Sequence, residues 1–67
     1  MSRRDPSGYY VIVAVDHDET REILSEFTRR EKLLVERAGN VAIIRCRSRK
    51  TAEELARALV LRGLLVS

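Results

Sequence analysis

The chain has 67 residues, with 13 Lys and Arg against 10 Asp and Glu, a net charge of +3, one Cys and one His. At this length it is one domain with a thin core, in which burial and chain entropy nearly cancel. A single cysteine excludes an internal disulfide, and Cys46 and His17 standing alone exclude a metal-ligand set, so stability has to come from packing, from association, or from both.

Met1 to Gly8 is polar, holds Arg3, Arg4, Asp5 and Pro6, and has no periodicity, so residues 1–8 are expected as a flexible basic tail and 9–67 as the folded domain. No apolar run there resembles a signal peptide, and Tyr9–Val15 is far shorter than the roughly 20 residues of a membrane span. With the unpaired thiol, the expectation is a reducing cytoplasm, no membrane partner, and Cys46 as a small buried side chain.

Tyr9 to Val15 is nearly all β-branched or aromatic and forms the first, central strand. Asp16-His17-Asp18-Glu19 ends it and opens a helix, with Asp16 or Asp18 as the cap and Asp16 and Glu19 at capping-box spacing. Thr20, Ile23, Leu24 and Phe27 recur at i, i+3, i+4 and i+7, the stripe of a helix packed on one side. Lys32 to Arg37 is a short strand, Ala38-Gly39-Asn40 a hairpin turn, and Val41 to Arg47 the returning strand. On that strand Ala42, Ile44 and Cys46 face the helices, and Val41, Ile43, Arg45 and Arg47 face away. Ser48 caps the second helix, with Thr51 and Glu54 three residues later as an alternative capping box, and its stripe is Ala52, Leu55, Ala56, Leu59 and Val60. Gly63 terminates it, and Leu64-Leu65-Val66 reads as a last strand.

The order β-α-β-β-α-β predicts an α+β fold, a ferredoxin-like sandwich with a four-stranded antiparallel sheet and two helices on one face. Sliding the sequence by 31 residues lays Ile12 on Ile43, Thr20 on Thr51 and Leu24 on Leu55, as two related halves would. The uncovered sheet face is then expected to show Tyr10, Ile12 and Ala14 beside Val41, Ile43 and Arg45.

Charge is uneven. Residues 1–36 carry six basic and eight acidic side chains, net −2, and residues 37–67 carry seven and two, net +5. Mostly arginine, the second half suits bidentate contact with phosphate or carboxylate. Many charges with no Gln also fit the surface of a heat-adapted protein. Nothing supplies an enzyme: no Gly-rich phosphate loop, no nucleophile placed by a base, and His17 sits among ordinary helix-start residues. No cofactor or metal is expected.

Asn40-Val41-Ala42-Ile43-Ile44-Arg45-Cys46, followed by Ser48 and Thr51-Ala52-Glu53-Glu54-Leu55, resembles the third strand and second helix of an RNA-recognition motif. In that family an Ala packs closely on the sheet where Ala52 stands. The likeness implies a sheet face that meets RNA, with the family's exposed aromatics falling at Val41 and Ile43, neither of which is aromatic. Tyr10 is then the one expected stacker, and Arg37, Arg45, Arg47, Arg49 and Lys50 the expected phosphate contacts. The length and the run from Tyr10 to Val15 into a helix also resemble ACT-type regulatory domains, without their Gly-containing ligand loop, and imply pairing with a second copy. The strand ending at Asp16 is similar to the start of the small CRISPR-associated ferredoxin-like nucleases. The expectation is a small non-catalytic nucleic-acid-binding module, RNA ahead of DNA, or alternatively a homodimerising or protein-interaction module using Tyr10, Ile12, Val41 and Ile43.

Overall fold

The computed structural model describes residues 8–67 and the backbone of residues 3–4. These form an α+β domain with β1 (Arg3–Arg4), β2 (Tyr10–Val15), α1 (Asp18–Thr28), β3 (Leu34–Ala38), β4 (Val41–Cys46) and α2 (Arg49–Leu61). Three full strands make an antiparallel sheet, β2 beside β4 and β3 outside β4, and β1 adds two residues along the start of β2. The expected tail, residues 1–8, lies mostly outside the described residues.

The expected last strand is corrected. Leu64–Val66 makes only one isolated bridge, Ala14 to Leu65. The segment still follows β2: Val15 N–H donates to Leu64 O at 2.8 Å, Val66 N–H to Val13 O at 2.7 Å, and Val13 N–H to Ser67 O at 2.9 Å. Its shortness has a local reason, since β1 pairs with Tyr10 and Val11 on that edge and leaves only the second half of β2.

The pairing register decides which side chains are inside. Directly opposed residues share a face, and Tyr10 stands opposite Cys46, Ile12 opposite Ile44, and Ala14 opposite Ala42. Ile12, Ala14, Ala42, Ile44 and Cys46 are fully buried with Leu55, Leu59 and Ala52 of α2. Thr20, Ile23, Leu24 and Phe27 of α1 close the same core, as their spacing predicts. Val60 does not join them and is 53% exposed, because it falls on the outer flank of α2. The open face therefore carries Val11, Val13 and Val15, not Tyr10, Ile12 and Ala14, beside Val41, Ile43 and Arg45.

The hairpin between β3 and β4 turns on two residues, Gly39 and Asn40, with Ala38 opposite Val41. Gly39 has φ +63° and Asn40 no positive φ, the pattern of a type II′ turn, whose twist matches that of the strands. Each helix starts on a side-chain cap. His17, and neither neighbouring Asp, caps α1: its Nδ1 accepts from Glu19 N–H at 3.0 Å. Asp16 is occupied elsewhere, by Arg21 at 3.3 Å and Arg37 at 3.5 Å. Ser48 Oγ caps α2 by accepting from Thr51 N–H. No helix among the described residues is long and apolar enough to cross a membrane.

Candidate nucleic-acid interface

Antiparallel connection sorts the loops onto two ends of the sheet. The start of β2, the loop 29–33 between α1 and β3, and the loop from β4 into α2 all lie at one end. The β2–α1 loop, the hairpin turn and the Arg62-Gly63 turn lie at the other. At the first end, residues 29–33 and 47–50 hold six cations, Arg29, Arg30, Lys32, Arg47, Arg49 and Lys50, and one acid, Glu31. All six cations are exposed.

Glu31 is what joins the two loops. Its Oε1 accepts from Thr51 Oγ1 at 2.8 Å, and its Oε2 accepts from Ser48 N–H at 3.3 Å and from the Cys46 thiol at 3.2 Å. The carboxylate thus sits over the first turn of α2, where free N–H groups and the helix dipole favour a negative charge. With Glu31, the one acid of residues 29–33 and 47–50, turned inward, these two segments present cations. Arg30 reaches Glu54 of α2 at 3.4 Å, a link from residues 29–33 to the helix, and also lies 4.7 Å over the Phe27 ring.

Four of the expected phosphate contacts come together here. Arg47 and Lys50 stand at the end itself, and Arg49 opens α2, where it pairs with Glu53 at 3.1 Å. Arg45 lies one row inward on the open face and pairs with Glu36 at 3.0 Å. Arg37 does not belong with them. It stands opposite Ala42, near the hairpin turn, and pairs with Asp16 at the far end of the sheet. Tyr10 is also corrected: it packs against the core on the helix side, opposite Cys46. Of the interface expected on the open face, Val41 and Ile43 are there and Ile12 is fully buried.

The aromatic residue at the basic end is Tyr9. Its ring lies 4.8 Å from the Arg47 guanidinium, a cation–π contact that holds both side chains beside Arg45. Tyr9, Arg29, Arg30 and Lys32 are the residues that sequence reading missed. The signal for the three cations was the predicted topology, because an α1 antiparallel to β2 has to deliver its last turn to the end where β2 begins.

No protein-family model, curated protein or solved structure matches the chain. Among the described residues, no three His, Cys, Asp or Glu side chains gather as a metal ion requires.

Charge states follow from the contacts. The Thr51 hydroxyl, then the Cys46 thiol and the Ser48 amide, hold Glu31 below the usual glutamate range against the opposing effect of burial. The hydrogen bond from Arg21, with Arg37 behind it, does the same for Asp16. A depressed pKa in the folded chain contributes stability above the ordinary carboxylate range, and this is lost as pH falls through the lowered values. Cys46 moves the opposite way, pushed up to about 11 by burial and by the Glu31 carboxylate. Its neutral thiol favours the fold below its ordinary value of 9.0, and that contribution is lost as pH rises toward 11. Urea midpoints should therefore fall between pH 9 and 11, and Cys46→Ala should remove most of this alkaline loss relative to its own midpoint at neutral pH. An alkaline loss of equal size in the variant would refute the assignment to Cys46.

Proposed function

We propose that this chain is a small non-catalytic nucleic-acid-binding module that holds phosphates at its basic end. The layout is ferredoxin-like, with residues 64–67 in the place of the fourth strand. The observation that carries the proposal is the convergence of Arg29, Arg30 and Lys32 with Arg47, Arg49 and Lys50 on two loops tied by one inward carboxylate. Cations clustered on one end of a small domain form the electrostatic footprint that a polyphosphate chain neutralises. Arginine supplies four of the six, which favours bidentate contact with phosphate oxygens. RNA stands ahead of DNA on the likeness of β4 and the start of α2 to an RNA-recognition motif.

A salt titration tests this. The logarithm of the affinity for a single-stranded RNA should fall linearly with the logarithm of salt concentration, by roughly 0.7 per phosphate neutralised. Arg29→Ala, Lys32→Ala and Lys50→Ala should each lower affinity and reduce the slope by about one phosphate contact or less. Affinity indifferent to salt, or to all three substitutions, would overturn the proposal.

A second reading has its own observation. Val11, Val13, Val15, Leu34, Val41 and Ile43 form an aliphatic surface on the uncovered side of the sheet, with Val15 37% and Leu34 40% exposed. Such a patch on a small domain marks an interaction surface, and self-association through it is the alternative. Light scattering in the binding buffers separates the two: a monomer at high micromolar concentration, with salt-dependent binding intact, leaves the basic end alone in play.

A further inference from the structure

Tyr10, displaced from the open face by the register, lines a groove along the outer flank of α2, with a volume of about 820 Å³. The helix contributes Arg49, Glu53, Ala56, Arg57, Val60 and Leu61 to it. These positions follow one another at helical spacing, so the groove runs the length of α2, roughly 18 Å. Its apolar part is unusual for a helix flank: Val60 is 53% and Leu61 79% exposed, beside the partly buried Tyr10 ring. Its polar part is two arginines and a glutamate, and that glutamate is neutralised by Arg49.

Arg49 belongs both to this groove and to the six-cation end, so the two are continuous. From these placements we infer that the groove receives an unpaired base of the nucleic acid whose phosphates the basic end holds. The inference rests on the proposed function above. A base needs an apolar slot lined by an aromatic or guanidinium group, and Tyr10, Arg49 and Arg57 line this one together with the aliphatic Val60 and Leu61. A duplex keeps its bases stacked inside and has nothing to offer the groove, so the module prefers single strands. The charge pattern selects this occupant over an uncharged apolar one: entry to the groove from the basic end passes Arg49 and Lys50, which favour a chain that alternates phosphate with base.

The test compares a single-stranded RNA with an abasic ribose-phosphate chain of equal length at one salt concentration. The wild type should bind the RNA about tenfold more tightly, the order expected of one stacked base. Tyr10→Leu removes the ring and keeps apolar contact with the core, and Val60→Asn makes the exposed wall polar without changing charge. Either should bring the ratio close to one and leave affinity for the abasic chain unaltered. Circular dichroism of Tyr10→Leu checks that the variant is folded, and Val60→Asn changes only a half-exposed side chain. A ratio near one in the wild type, or a tenfold ratio that survives both substitutions, overturns the inference while salt-dependent binding of both chains leaves the basic end standing. Failure of the wild type to bind either chain overturns both.

Discussion

Leu55→Ala should destabilise the domain by about 3 kcal/mol, the middle of the range for truncating a buried leucine. Leu55 is fully buried, on the face of α2 that packs with Ile12, Ile44 and Leu59 in the one core. Two effects add: loss of the burial free energy that the deleted carbons supplied on folding, and a cavity that a close-packed interior cannot fully close. A domain of this size has roughly 3–10 kcal/mol of total stability, so this single change removes a large share of it. On heating, the midpoint should fall by roughly 15–20 °C. Leu61→Ala is the matched control, the same truncation on the same helix at a site 79% exposed. It should change stability by less than about 0.5 kcal/mol. Equal effects from the two would mean that α2 does not bury the face assigned to it.

That assignment was legible in the sequence because a helix exposes its period. Ala52, Leu55, Ala56 and Leu59 repeat among charged residues, as do Thr20, Ile23, Leu24 and Phe27, and all eight are buried. Val60 was the exception, at the edge of a stripe whose angular width the pattern alone does not define. The second helix cap, Ser48, was equally legible. The first was not, because Asp16, His17 and Asp18 are all competent caps and tertiary contacts made the choice: Arg21 and Arg37 draw Asp16 away.

The inward face of β2 was hidden for a different reason. Every residue from Tyr10 to Val15 is apolar or aromatic, so no polar alternation marks a side. The 31-residue repeat then misleads. It is true of the helices, where it lays the caps His17 and Ser48 together and the buried Leu24 and Leu55 together. It is off by one for the strands, where the buried Ile12 corresponds to the buried Ile44 and not to Ile43 on the open face. The extra residue sits in the connection: Ala14, the last buried residue of β2, precedes its helix cap by three positions, and Cys46 of β4 precedes Ser48 by two. A shift of one residue exchanges the two faces of a strand, which moved Tyr10 and Ile12 to the wrong side together.

The basic end was half legible. Arg45, Arg47, Arg49 and Lys50 are neighbours in sequence and remain neighbours in space. Arg37 was grouped with them as a residue across the hairpin, but a two-residue turn places Leu34, not Arg37, opposite Arg45. Arg29, Arg30 and Lys32 lie in the half of the chain whose net charge is negative, and a sum over halves hides them. Only the return of α1 to the start of β2 brings them to Arg47.

Under the proposed function Glu31 ties stability to binding, and its removal should move the two in opposite directions. Glu31→Ala strips the acceptor from Thr51 Oγ1, from Ser48 N–H and from the Cys46 thiol at once. Ser48 Oγ still caps Thr51 N–H, so α2 keeps its start. Hydrogen bonds to a charged group contribute about 1.5–3 kcal/mol when well made, and these are part-buried, two of them longer than 3 Å, so the expected cost is about 2 kcal/mol. The same substitution deletes the one acid of residues 29–33 and 47–50 and leaves the helix N-terminus without its internal anion. At a temperature where the variant is folded, its affinity for single-stranded RNA should therefore rise a few-fold at low salt, and the gain should vanish at high salt as screening sets in. Glu36→Ala provides the comparison: it also removes one negative charge, but from an exposed pair on the open face, so it should cost less than about 1 kcal/mol. Urea titration and RNA binding of the two variants decide it. Equal stability losses would deny Glu31 its role in joining the loops, and an unchanged or weaker affinity in Glu31→Ala would place the phosphates somewhere other than the end it organises.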